Sequence, residues 1–148
     1  VVQPASIDDI DWAKPWTLKM DVRITTLTPE WQMIVLWGDD RAGYDPFFVR
    51  VNYDKLTAAI YDTRDDSGKV VACKLDPRVV GLWAPVQVDY EPSAKALRLF
   101  VNDQFAAQVE IDHGPIADKP MPWLWGGATA NQQRFNGKVR NVRFGNRE

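Results

Sequence analysis

The sequence predicts an all-β chain folded as an antiparallel β-sandwich of jelly-roll type. Three observations carry that prediction. Apolar and polar residues alternate with period two through most of the chain. Turn-forming Gly, Pro, Asn and Asp recur between the alternating runs. No long stretch places apolar residues at i, i+3, i+4 and i+7, the spacing a core-facing helix needs.

Residues 1–15, with Pro4 and Pro15, read as a lead-in segment, and 16–148 as one sandwich domain. In "WTLKMDVRIT" (16–25), Leu18, Met20, Val22 and Ile24 alternate with Lys19, Asp21 and Arg23, the pattern of a half-buried strand. "WQMIVLWG" (31–38) is apolar on both parities and reads as a central strand. "FFVRVNY" (47–53) separates Phe47, Val49, Val51 and Tyr53 from Phe48, Arg50 and Asn52, and "LTAAIYDT" (56–63) alternates in the same way. The two pair as a hairpin about Asp54 and Lys55. "GKVVACKL" (68–75), "VQVDYE" (86–91), "ALRLFV" (96–101) and "FAAQVEI" (105–111) continue the series. "VNDQ" (101–104) marks a tight hairpin, since Asn and Asp both tolerate positive φ. "GKVRNVRFG" (137–145) changes phase between Val139 and Val142, which predicts a β-bulge near Arg140 and Asn141.

The 148 residues suffice for a single domain with its own core. A net charge of −2 offers no electrostatic attraction for nucleic acid or an anionic membrane surface. No apolar run approaches the roughly 18 residues that span a bilayer. The chain lacks an initiating Met and a signal-peptide pattern, as expected of a processed or excised piece. A single cysteine, Cys73, excludes an internal disulfide and a cysteine-based zinc site. Tryptophan is in excess, with 7 copies against roughly two expected at this length.

Four stretches in order resemble the laminin-G-like, concanavalin A-like lectin/glucanase superfamily. "PWTLKMDVRI" resembles its opening strand, and "MIVLWGD" followed by "FFVRVNYDKLTAAIYD" its second to fourth strands. "LWAPVQVDYEPSAKALRLFVND" resembles the Trp-led strand and hairpin, and "WLWGGATANQQRFNGKVRNVRFGN" the Gly-Gly loop and final Phe-x-Gly strand. The resemblance spans about residues 16–146. It implies a concanavalin A-like jelly roll, with Trp83 as a packing residue and Trp123 and Trp125 facing inward. Asp103 stands where the family usually has Gly, and the family's calcium ligands find no counterpart in the sequence.

This fold hosts hydrolases as well as binding modules, so the chemistry must be argued from residues. A retaining glycosidase needs two carboxylates about 5–5.5 Å apart. The Glu-x-Asp-x-x-Glu pattern of related glucanases is absent, and Asp9 and Asp11 in "SIDDIDW" have no partner three residues on. The one histidine, His113 in "IDHGP", reads as a turn residue, and Cys73 has no adjacent base. The chain reads as non-catalytic.

Saccharide recognition combines aromatic rings with planar polar groups that engage pairs of hydroxyls. Candidate ligand-binding residues are Trp37, Asp39, Asp40 and Tyr44 in the loop "WGDDRAGYDP", and Arg50, Asn52 and Tyr61 on one strand face. Asn131, Gln133 and Arg134 in "ATANQQR" complete the set. Asp39, Asp40 and Asp45 form a candidate Ca²⁺ set, three carboxylates within seven residues, although such residues also simply form turns. Trp16 reads as core, Trp12 and Trp31 as exposed flanks of turns. The expected function is a carbohydrate-binding, lectin-like module for an oligo- or polysaccharide, part of a larger secreted bacterial polysaccharide-active enzyme. Alternatives are an accessory domain packing on a catalytic domain without binding glycan, a protein-binding adhesion domain, and a jelly-roll glycoside hydrolase or lyase.

Overall fold

The computed structural model describes residues 9–38, 45–126 and 135–147. They form the strands β1 (Trp16–Ile24), β2 (Gln32–Trp37), β3 (Phe47–Asn52), β4 (Lys55–Asp62), β5 (Ser67–Lys74), β6 (Trp83–Glu91), β7 (Ala96–Val101), β8 (Gln104–Glu110), β9 (Trp123–Trp125) and β10 (Gly137–Asn146). Two antiparallel five-stranded sheets result, ordered β10-β1-β6-β7-β8 and β5-β4-β3-β2-β9. They stack as a sandwich of jelly-roll type. Among the described residues, no helix is long and apolar enough to cross a membrane.

The core lies between the sheets, where period-two alternation delivers it. β1 buries Trp16, Leu18, Met20, Val22 and Ile24, and β6 sets Val86, Val88 and Tyr90 beside them in register. The second sheet answers with Phe47, Val49 and Val51 on β3 and Leu56, Ala58 and Ile60 on β4. Trp16 is fully buried and meets Phe47 edge-on, with centroids 5.4 Å apart and planes at 86°. That geometry suits the ring quadrupoles, and truncating such a ring costs about 3–5 kcal/mol.

Strand β2 explains its two-sided apolarity by a register shift between Met33 and Val35. The shift turns both Ile34 and Val35 into the core, while Met33 and Leu36 face outward. There they join Phe48 and Ala59 in a second buried cluster, with Tyr61 and Leu124 packed on it.

The turn chemistry is as the residues dictate. Asn102 and Asp103 both take positive φ (54° and 62°) between β7 and β8. A register shift between Lys19 and Asp21 opposite β10, with Asn141 at φ 55°, is the expected bulge. The β3–β4 turn falls one residue earlier than expected: Asn52 pairs with Lys55, leaving Tyr53 and Asp54 at the tip. β6 begins at Trp83 rather than Val86, and the Pro85 carbonyl accepts the Asn102 N–H at 2.9 Å.

Trp83 is not in the core. Alternation along β6 turns Ala84, Val86, Val88 and Tyr90 inward, which leaves Trp83 on the outer face of the first sheet. Its ring lies under Arg140 (3.9 Å) and near Arg23 (5.4 Å). Cation–π contact and partial cover replace the expected packing role.

Candidate functional site

The tryptophans gather at one end of the sandwich. Trp37 ends β2 and Trp123 begins β9, and the register places them opposite one another on the inner face at the rim. Their rings stack with centroids 5.2 Å apart and 11° between planes. Trp12, from the lead-in, lies 4.9 Å from Trp37 and 5.4 Å from Trp123. It also meets Phe144 edge-on at 5.3 Å. Behind the rim, Trp125 is 6.0 Å from Trp123 and only 8% exposed. Both indoles of the "WLW" strand thus face inward, but only Trp125 is core. Trp123, like Trp12 and Trp37, is half-buried and presents an edge to solvent.

Two hollows open beside Trp12. One, of about 460 Å³, is lined by Trp12, Trp37, Trp123, Lys119, Pro120 and Met121. The other, of about 530 Å³, is lined by Asp11, Trp12, Tyr90, Asp112, His113 and Gly114, among others. Part of each wall comes from the connection between β8 and β9. Thr63 ties that connection down, donating its N–H to the Ile116 carbonyl (3.0 Å) and accepting the Asp118 N–H at its hydroxyl (2.8 Å). At Gly114 the connection runs against the lead-in so closely that a Cβ would collide with the Trp12 carbonyl oxygen.

Several carboxylates of the chain are held by local partners. Asp62 is gripped by Arg64 through Nε (2.9 Å) and Nη2 (2.7 Å). These hydrogen bonds bring its carboxyl down to about 2. Among the described residues Asp65, Asp76 and Glu91 are likewise held below the usual carboxyl range, chiefly by side-chain hydrogen bonds from Ser67, Arg78 and Ser93. The His113 Nδ1–H donates to the Gly114 carbonyl at 2.8 Å, and Nε2 lies 3.4 Å from the exposed Ser67 hydroxyl. Cys73 is half-buried against the core, and desolvation pushes its thiol up, so it stays neutral and unreactive.

The sequence-derived candidates divide between two places. Trp37 lines the tryptophan hollow. Arg50 and Tyr61 share the outer face of the second sheet, in the register β3 and β4 impose, and Tyr61 stacks on Phe48 at 6.4 Å. Asn52 lies on that face too, but its amide donates to the Pro29 carbonyl and ties down the β1–β2 loop. Asp45 is buried against Gly38, where a Cβ would strike its carboxylate. Asp39, Asp40, Tyr44, Asn131, Gln133 and Arg134 lie outside the described residues. Among the described residues, no three His, Cys, Asp or Glu side chains come together as a metal site.

Sequence reading missed Trp12 and the connection 111–122 as parts of one site. Trp12 sits in an irregular segment with no periodic signal. The connection did carry one: a stretch of twelve residues with three prolines between short strands is long for a sandwich turn.

The family model of the concanavalin A-like lectin/glucanases superfamily matches residues 2–148. No curated protein matches the sequence. Among solved structures, the chain is similar to the binding domain of botulinum neurotoxin serotype G (TM-score 0.66, 10% identity, 93% of this chain and 34% of that one). It is similar to the CBM40 of the Ruminococcus gnavus IT-sialidase (0.69, 12%, 90% and 76%). It is also similar to domains LG4-5 of the mouse laminin alpha1 chain (0.63, 20%, 88% and 35%). This chain thus spans about a third of the neurotoxin binding domain. At these identities the likeness establishes the fold.

Proposed function

From the premise that the chain belongs to the concanavalin A-like lectin/glucanases superfamily, we propose that it is a non-catalytic carbohydrate-binding module. Its ligand is an oligo- or polysaccharide, held at the end of the sandwich by Trp12, Trp37 and Trp123. The observation that carries this reading is the half-buried indole stack lining an open hollow of about 460 Å³. Aromatic walls with a few convergent polar groups are the usual make-up of a small-molecule site. The likeness to the CBM40 of a sialidase and to a toxin binding domain agrees with it.

The non-catalytic reading has its own support. A general acid in glycoside hydrolysis needs a raised pKa. Asp62, Asp65, Asp76 and Glu91 all depart downward, which does not suit that role. The module is secreted and belongs to a larger bacterial polysaccharide-active enzyme, whose catalytic domain is its covalent partner. Asp39, Asp40 and Asp45 are the residues that would hold a Ca²⁺ ion.

A glycan array followed by calorimetry, with and without Ca²⁺, tests the reading. Binding that quenches or shifts tryptophan fluorescence is expected. Failure to bind any plant, algal, microbial or host glycan overturns it.

A further inference from the structure

Arg50 projects from β3 onto the outer face of the second sheet, remote from the tryptophan hollow. Its guanidinium carbon lies 3.8 Å from the Trp31 ring centroid and 4.6 Å from that of Phe48. Its Nε is fully buried and has no hydrogen-bond partner. No carboxylate among the described residues pairs with it. Directly opposite in register stands Thr57, only 1% exposed, and its hydroxyl also lacks a partner.

Two neighbouring buried polar groups without partners are uncommon, because each forfeits its bonds to water. The guanidinium stays charged although burial lowers its pKa. Ring contacts offset part of the desolvation, but they offer no acceptor to the N–H fork. They do hold the guanidinium in one orientation, which makes it ready for a planar two-oxygen partner.

We propose that Arg50 is the anchor of a second binding site that takes the carboxylate of an acidic sugar residue. The carboxylate meets the solvent-facing end of the guanidinium, and a small outward turn of the side chain brings Nε into a two-pronged pair. The Thr57 hydroxyl then donates to the same carboxylate. The half-buried rings of Trp31 and Tyr61 supply apolar surface for the sugar ring on either side. The choice of a sugar as carrier rests on the carbohydrate-binding reading above; the demand for a carboxylate does not.

The test is a titration of the intact chain with glucuronic acid, galacturonic acid and N-acetylneuraminic acid, alongside glucose and galactose, followed by NMR and calorimetry. The expected result is that at least one acidic sugar shifts the Arg50 Nε–H and Trp31 indole resonances, while its neutral counterpart does not. Arg50→Lys, which keeps the charge but loses the fork, should weaken that binding at least tenfold with the fold intact by circular dichroism. Thr57→Val should weaken it severalfold. The proposal is overturned if no acidic sugar binds more tightly than the neutral ones, or if Arg50→Lys binds as the parent does. It is also overturned if the shifts fall only on Trp12, Trp37 and Trp123, or if acetate and an acidic peptide bind as tightly as the acidic sugars. Neutral-glycan binding at the tryptophan hollow without acidic-sugar binding removes this inference and leaves the proposed function standing. Loss of both removes both.

Discussion

Trp37 and Trp123 stack 5.2 Å apart and 11° from parallel, at the one place where β2 and β9 both reach the open end of the sandwich. An aromatic pair contributes about 0.5–1.5 kcal/mol beyond its buried area. Trp37→Ala should therefore lower stability by about 2–3 kcal/mol, less than a fully buried ring, because its edge is already wet. Urea unfolding measures that cost, and near-ultraviolet circular dichroism should lose the signal of coupled indoles. Glycan affinity should fall at least tenfold in both Trp37→Ala and Trp123→Ala. Unchanged affinity in both would place the ligand elsewhere.

Gly114 holds the long connection against the lead-in because it has no Cβ to meet the Trp12 carbonyl. Backbone cannot yield as a flexible side chain would. Gly114→Ala should cost about 1–3 kcal/mol, as overpacking does. It should also move Trp12 off the stack, which red-shifts tryptophan emission. A variant with parental stability and spectrum would show that the two segments separate freely.

Asp62 carries a sign-definite pH dependence. Its folded carboxyl sits at about 2 because Arg64 hydrogen-bonds the charged form. Unfolded, it returns to the ordinary range near 4. The stabilisation is complete above that ordinary value and is lost as the pH falls toward about 2. Asp62→Asn should thus lower Tm at neutral pH, and the gap to the parent should close as the pH falls through this window. A gap that is constant down to pH 2 would rule out the Arg64 pairing as its cause.

Lys95 adopts φ 49° after the turn at Pro92–Ala94, a left-handed conformation that costs a side chain about 1–2 kcal/mol. It is exposed and forms no salt bridge among the described residues. Lys95→Gly should raise stability by up to about 1 kcal/mol once the extra freedom of an unfolded glycine is subtracted. That corresponds to about 3 °C in Tm for a domain of this size. Asp103→Gly should gain less, since its carboxylate accepts from Lys19 Nζ at 3.0 Å and an exposed pair is worth well under 1 kcal/mol.

Much of this fold was legible in the order of the residues. Alternation in β1, β3 and β4 specified which side chains enter the core, because the period of a strand leaves only two faces to choose from. The Asn102–Asp103 turn and the bulge at Asn141 were equally plain, since few residues accept positive φ. Trp83 was misassigned for a corresponding reason. Resemblance supplied an inward role, while its own parity with Pro85, Gln87 and Asp89 already placed it outward.

The sequence by itself determined an all-β sandwich, most of its strands and the inward face of β1, β3 and β4. Local periodicity and turn chemistry suffice for these, because they act between residues a few positions apart. Only the tertiary structure decided that Trp12, Trp37 and Trp123 share one wall, and that the Arg50 Nε and the Thr57 hydroxyl are both buried without a hydrogen-bond partner. The tryptophan wall joins residues far apart in the chain through the lead-in and the pairing of β2 with β9, which no local pattern encodes. Arg50 and Thr57 are near in sequence, but their juxtaposition depends on the exact register of the β3–β4 hairpin, which the turn sets and which falls one residue earlier than expected.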